Sequence, residues 1–322
     1  MRSVLGQMAS AIVAWSPSYV WLKFRKTTIL ESLKHYWKYD PSTLLQGVDA
    51  LLGYLGAPDD WSPKTEQLSG EIISLRKKSG VSLVAVAKSV PNHLVPWLAE
   101  LSEATKRHLS SNSLLPPNRM HLYEFLSCVA TAVEDPVARA NFIADVLSDA
   151  ISVLESTEVK QSISSVEAFL SSMGITQAAT NPDSVTNPEH VAKVNNDFVV
   201  LFSAMNQLLS VGKRCHEAAR KRPNGGLPLQ NNPHFDAANL QNFPDEGPVS
   251  VQDLAVNDPF VPLWPRILPI LIQVVDVTLR AWHPENQAIL LRNNIQRYMY
   301  AISDDEAFLS KVQDNTSGGV FG

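Results

Sequence analysis

Cysteine is nearly absent, with only Cys128 and Cys215 in 322 residues. That excludes a disulfide-stapled scaffold and any thiolate metal cluster. Two isolated thiols inside apolar stripes fit a reducing compartment, cytosol or nucleus. A glycine-rich phosphate cradle, a Walker-type lysine loop and a dinucleotide fingerprint are all missing. The eight histidines are scattered, and no pair of them stands at metal-ligand spacing with an acidic partner. Neither sign of charge dominates: 27 basic against 32 acidic residues leave a formal net charge of −5. A chain that coats nucleic acid through bulk charge is thereby excluded, while a local basic surface is not. Long apolar runs are short of the ~20 residues a bilayer needs. The longest, Ile267 to Leu279, is interrupted by Gln273 and Asp276, so no membrane insertion is expected. The mild apolar run from Met1 to Trp15 is broken by Gly6, Gln7 and Ser10 and lacks a clean cleavage site. It reads as a plain helix rather than a secretory leader.

Strict alternation and β-branched density are missing too. Apolar residues instead recur three and four apart from end to end. Leu122, Phe125, Leu126, Val129 and Val133 form one such stripe, and Ile143, Val146, Leu147, Ala150, Ile151 and Leu154 form the next. The fold class is all-α. A two-helix unit recurs whose second helix is led by proline: Pro41 before Leu44, Leu45, Val48 and Leu52; Pro91 before Leu94, Trp97, Leu98 and Leu101; Pro136 before Phe142, Ile143, Val146 and Leu147. Proline suits the first helical position, where its missing N–H has no partner to lose. The prolines fall 50 and then 45 residues apart, near the ~40–47-residue period of HEAT and armadillo arrays. The expected architecture is a HEAT/armadillo-type superhelix, an α-solenoid, over residues 1–322.

Five helical pairs follow from this pattern. They cover 19–37 with 41–55, 67–88 with 92–109, 118–133 with 136–154, 159–173 with 188–220, and 263–282 with 284–301. Pro265 and Pro269 predict a kink or a late start in the ninth helix. Asp40 and Asp135 read as N-caps before their prolines. Gly174 stands where a left-handed C-cap belongs. The stretch from Pro223 to Asp258 is rich in proline and glycine, carries Asp236, Asp245, Glu246, Asp253 and Asp258, and has no Lys or Arg. It admits two readings, a disordered insertion between helices or a folded acidic latch. The tail 314–322 is expected to fray.

Candidate chemistry is sparse, and no catalytic residue, metal ligand set or cofactor is expected. Cys215, His216 and Glu217 are adjacent, so on a helix they face different ways and cannot share one ion. Ser127-Cys128 sits on an apolar stripe and reads as core. The seven tryptophans are not interleaved with basic residues as a stacking platform requires, and are expected to pack between neighbouring repeats. Two basic clusters remain: Arg76, Lys77 and Lys78, and then Lys213, Arg214, Arg220, Lys221 and Arg222. Each has a structural reading, as a solvated face or as cations complementing a helix C-terminus. Each also has a functional one, as a phosphate- or acid-binding patch. A third reading folds the acidic stretch back onto the second cluster.

The order of segments resembles the central repeats of the exportin-5 group in the importin-β (karyopherin) superfamily. The likeness runs through Tyr39-Asp40-Pro41 with Leu44 and Gln46, Arg76-Lys77-Lys78 with Val84, Ala85 and Lys88, and Val90-Pro91 with Leu94-Val95-Pro96. Leu114-Leu115, Met120 and Glu124 follow, then Ser164-Ser165-Val166-Glu167-Ala168-Phe169, and Asn257-Asp258-Pro259-Phe260 leading to Ile267–Leu271. It covers most of the chain between about residues 30 and 300. The resemblance implies a non-catalytic transport receptor that shuttles between nucleus and cytoplasm. Its partners would be Ran–GTP, nuclear pore components, and a cargo of structured RNA or protein. A-form RNA would be read through shape and phosphate contacts. The chain is far shorter than a whole karyopherin, and nothing in it resembles the N-terminal repeats that grip Ran. The resemblance therefore implies a segment of such a receptor. A helical-repeat adaptor unrelated to transport is the competing reading.

Overall fold

A computed structural model describes residues 2–56, 70–110, 114, 116–176, 188–219 and 258–286. Among these the chain is helical, without strands. The helices are α1 (Arg2–Ala14), α2 (Val20–Trp37), α3 (Leu44–Leu55), α4 (Gly70–Ser89), α5 (Pro91–Leu94), α6 (Leu98–Ser110), α7 (Pro116–Ala130), α8 (Pro136–Glu155), α9 (Thr157–Ser162), α10 (Val166–Ser172), α11 (Pro188–Ala219) and α12 (Trp264–Ala281). Arg220, Lys221, Arg222, the stretch 223–257, residues 287–301 of the fifth pair and the tail 314–322 lie outside the described residues.

Local chemistry sets the helix ends. Pro91 and Pro136 each open a helix, as expected, and the Asp135 carboxylate accepts the Val137 N–H at 3.0 Å. Pro41 does not open α3, which starts at Leu44. The Asp40 carboxylate takes the Ser42 N–H at 3.1 Å and also bonds the Tyr36 hydroxyl, while the Trp37 indole N–H donates to Thr43 Oγ1 at 3.0 Å. These side-chain bonds hold 41–43 as a turn. The expected helix 92–109 is interrupted at Val95–Trp97 by a 3-10 turn, because Pro96 cannot donate a backbone hydrogen bond. The expected helix 159–173 is two short helices. Ser156 Oγ accepts Val159 N–H at 3.2 Å, and Ser165 Oγ accepts Ala168 N–H at 3.1 Å, so each serine starts its own helix. Gly174 follows α10 with φ +66°, the left-handed cap that the sequence predicts. α12 starts at Trp264, ahead of both prolines, so there is no late start.

Contacts divide the chain into two units, Met1–Leu147 with Gln207–Pro262, and Ser148–Asn206 with Leu263–Gly322. In the first, α4 packs against α2 and α3 on one side and α7 on the other, and α6 and α5 also meet α7. α4 is accordingly buried around most of its girth, at Ile72, Leu75, Arg76, Ser79, Gly80, Ser82, Leu83, Val84, Val86 and Ala87. Its exposed positions form a narrow line through Ser74, Lys77, Val81 and Lys88. The core joins Leu30, Trp37, Val48 and Leu51 to Leu83, Val86, Leu122 and Phe125. Small residues permit the close crossings. A Cβ on Gly47 would stand 2.5 Å from the Trp37 ring, and one on Gly80 would stand 2.4 Å from His121 Cδ2.

Three cations reach back to the end of a preceding helix. Lys26 of α2 donates to the Val13 carbonyl of α1 at 2.8 Å and to the Trp15 carbonyl. Arg119 of α7 donates to Leu109 O near the end of α6 at 2.6 Å, and Arg139 of α8 donates to Val133 O past the end of α7 at 2.6 Å. The last carbonyls of a helix have no partner within it, and a cation there also meets the negative end of the helix dipole.

In the second unit, α10 packs against α9 and α12. Ile267, Ile270, Val274, Val277 and Ala281 form the buried face of α12. Arg266 holds Glu155 through two bonds of 3.0 and 2.7 Å, and Gln273 donates to Ile163 O at 3.2 Å. Contrary to expectation, one described helical stretch, Val261–Ala281, is long and apolar enough by composition to cross a bilayer. Its buried face packs within the unit. The tryptophans also depart from expectation: Trp37 is fully buried, but Trp15, Trp21, Trp97, Trp264 and Trp282 are exposed.

The crossings predict opposite effects for two glycines of one helix. Gly47→Ala should lower the unfolding free energy by about 1–3 kcal/mol through overpacking against Trp37. Gly53→Ala, with nothing within 4 Å, should raise it by up to about 1 kcal/mol through helix propensity. Chemical denaturation of the two variants beside the parent chain checks both signs.

Candidate functional site

Three consecutive residues on a helix point about 100° apart, and the first basic cluster shows the consequence. Arg76 is fully buried in the packing of α4. Lys78 bonds Glu31 of α2 at 2.7 Å, joined there by Ser82 Oγ at 2.8 Å and by Lys34 at 3.6 Å. Burial alone would raise the Glu31 carboxyl, but bonds to Lys78 and Ser82 and the two lysine charges outweigh it and hold it low. Lys77 is the one member of this cluster that is exposed.

The second cluster divides in the same way. Lys213 is exposed on α11, while Arg214 turns inward to form the centre of an ion-pair network. Its Nη2 bonds Glu124 of α7 at 3.0 Å, and its Nη1 bonds both oxygens of Glu217 at 3.0 and 2.8 Å. Lys88 of α4 completes the network with a 2.8 Å bond to Glu217. Three helices are tied through four side chains. Burial by itself would raise the Glu217 carboxyl; bonds to Lys88 and Arg214 reverse this and hold it at about 2. His121 of α7 lies in the same neighbourhood, its ring against Gly80 and its Nδ1 buried without a hydrogen-bond partner. Burial favours its neutral form, Glu124 opposes that, and Lys77 and Arg214 reinforce it, so its pKa is lowered.

The three adjacent residues Cys215, His216 and Glu217 have three different surroundings. Cys215 is buried, His216 is exposed, and Glu217 belongs to the network. Burial pushes the Cys128 thiol up to about 12 and the Cys215 thiol upward as well, so neither is a thiolate nucleophile at neutral pH. Among the described residues, no group of three or more His, Cys, Asp or Glu side chains could hold a metal ion. An open groove of about 560 Å³ runs between the end of α1 and α3, lined by Val13, Ala14, Leu45, Gln46, Asp49 and Ala50.

The Arg214–Glu217 contact is legible in sequence as a three-residue helical spacing. Glu124 and Lys88 are 90 and 129 residues from their partners, and no local pattern announces them. No protein-family model matches this chain, and no curated protein matches it in sequence.

Two pH effects follow. A carboxylate held at about 2 against an ordinary 4.5 stabilises the fold above the unfolded value and loses that contribution as pH falls through the folded one. The parent chain should exceed Glu217→Gln in stability by on the order of 1 kcal/mol above pH ~5, after discount for solvent screening, with the gap closing toward pH ~2. His121 acts with the same sign in a higher window. A neutral form favoured by folding contributes stability above the ordinary value of 6.5 that is lost as pH falls below it. His121→Asn should flatten the stability profile in that window. Denaturant titrations at stepped pH read both effects.

Proposed function

We propose that the protein is a partner-binding helical scaffold without catalysis, built as a HEAT/armadillo-type array. The observation that carries this reading is the placement of α4. It packs against α2 on one flank and α7 on the other, so the first helices of three successive expected pairs lie side by side. In helical-repeat proteins such stacking generates an extended surface for partners. Lys78 with Glu31, and Lys88 and Arg214 with Glu217 and Glu124, tie helices together in ion pairs around α4, an architectural use of charge.

The finer form of the proposal is an exportin-like segment of a nuclear transport receptor. It would bind structured RNA or protein cargo together with Ran–GTP and move between nucleus and cytoplasm. Its support is the ordered succession from Tyr39-Asp40-Pro41 to Asn257-Asp258-Pro259-Phe260. Within the basic clusters, Lys77 and Lys213 are the exposed cations among the described residues. They are the side chains available to a phosphate backbone there. A second reading, a general protein-binding adaptor, draws on the α1–α3 groove, whose apolar walls and Asp49 suit a peptide with an apolar and a basic side chain.

A pull-down of the purified chain with a short-overhang RNA hairpin, with and without GTP-locked Ran, tests the transport reading. RNA binding strengthened by Ran–GTP is the expected result. Absence of binding to either partner favours the adaptor. On the transport reading, Lys77→Ala and Lys213→Ala should each weaken RNA binding and reduce the salt-dependence slope by about 0.7–0.9 per lost phosphate contact. Unchanged affinity and slope would remove both lysines from the interface.

A further inference from the structure

We propose that Ser110 is a phosphorylation site for a base-directed protein kinase, with Arg107 and Arg119 receiving the phosphate. Protein kinases select substrates partly by charge pattern, and an enzyme of this class reads a basic residue three positions before the hydroxyl. In the whole sequence, Thr28, Ser79 and Ser110 are the hydroxyl residues that follow a Lys or Arg at that spacing. The structure separates the three. Ser79 is fully buried within α4. Thr28 is exposed, but it stands in the middle of α2 and bonds the Phe24 carbonyl at 3.3 Å. An active-site cleft reaches it only if helix on both sides unwinds. Ser110 is exposed and is the last residue of α6, where a helix frays most readily. Lys106 and Arg107, the basic pair ahead of it, are exposed as well.

The surroundings of Ser110 suit the product. Transfer joins Ser110 Oγ to the γ-phosphorus of a nucleoside triphosphate and breaks that phosphorus from its bridging oxygen, which leaves with the diphosphate. The hydroxyl proton departs in the same step. In the unmodified chain that proton is donated to the Arg107 carbonyl at 2.9 Å. An ester oxygen has no proton to donate, so the bond is lost and the side chain turns outward. Two guanidinium groups stand nearby. Arg107 lies one turn back on the same side of α6. Arg119 of α7 already reaches across to the Leu109 carbonyl at 2.6 Å, the peptide oxygen immediately before Ser110. A phosphate there meets the helix C-terminus, equivalent to roughly −0.5 of an elementary charge. Two full positive charges outweigh it, and arginine binds phosphate oxygens in pairs. The contact that finishes α6 thereby becomes a phosphate clamp between α6 and α7.

Incubation of the full chain with the catalytic subunit of the cyclic-AMP-dependent kinase and magnesium ATP tests the proposal. Intact-mass spectrometry should show one phosphoryl group, and fragmentation should place it on Ser110, with Thr28 and Ser79 unmodified. Ser110→Ala should abolish incorporation, and Arg107→Ala should slow it by about tenfold or more. The receiving role has its own readout in the phosphorus NMR titration of the modified chain. An ordinary phosphoserine takes up its second proton near pH ~6. Paired with guanidinium groups it should titrate below that value, and Arg119→Gln should move it back up. Arg119→Lys, which keeps the charge and the reach, should recover part of the shift and guards against a loss of folding in the glutamine variant. No incorporation overturns the proposal, as does a phosphate on any other residue, such as Ser111 or Ser113. Incorporation indifferent to Arg107→Ala overturns the recognition, and a titration indifferent to Arg119→Gln overturns the clamp. None of these results depends on whether RNA or Ran binds.

Discussion

Helix α4 has almost no free surface, and this constrains the chemistry around it. A helix walled in by α2 and α3 on one flank and α7 on the other cannot leave a charge to water, so each basic side chain along it requires a placed partner or an outlet. Lys78 meets Glu31, Lys88 meets Glu217, and Lys77 uses the narrow open line. Arg76 is enclosed altogether. The same confinement requires small residues at the crossings, which is why Gly80 faces the His121 ring. The Arg214 network is the outer edge of this arrangement. It joins α11 to α7 directly, and to α4 through the carboxylate that Lys88 also holds. The bonds need not be individually strong to matter. Arg214 and Glu124 are only 13 and 16% exposed, and removing one partner of such a pair strands the other charge away from water.

Helical period, proline starts and glycine stops made the fold class and most helix positions readable from residue order. Pro91, Pro136, Asp135 and Gly174 act through their own backbone or immediate neighbours, and the structure bears them out. The failures occurred where two local signals competed. Pro96 lies on an apolar stripe that predicts a continuous helix, yet its missing N–H breaks one. Ser165 lies inside an expected helix, yet its hydroxyl caps a new one. Pro41 yields to the side-chain bonds of Asp40 and Thr43. Site chemistry was harder to read because burial is a tertiary property. Arg76, Lys77 and Lys78 are alike in sequence and have three different fates. The partners Glu31, Glu124 and Lys88 reach their bonds across long stretches of chain that no spacing rule connects.

The cations that reach back to α1, α6 and the end of α7 share a geometry, since each lies within the first two turns of the helix that follows. These three helices are thus finished by their successors. For α1 the dependence is tightest: Lys26 is buried, its ammonium is pulled below the usual lysine range by that burial, and it lies 6.0 Å from the centre of the Tyr54 ring. During synthesis, α1 emerges before α2, and α2 before Tyr54. The carbonyls of Val13 and Trp15 must remain hydrated until the second turn of α2 has followed them. Completion of α1 is therefore a delayed event in vectorial folding, timed by the arrival of a single downstream ammonium group.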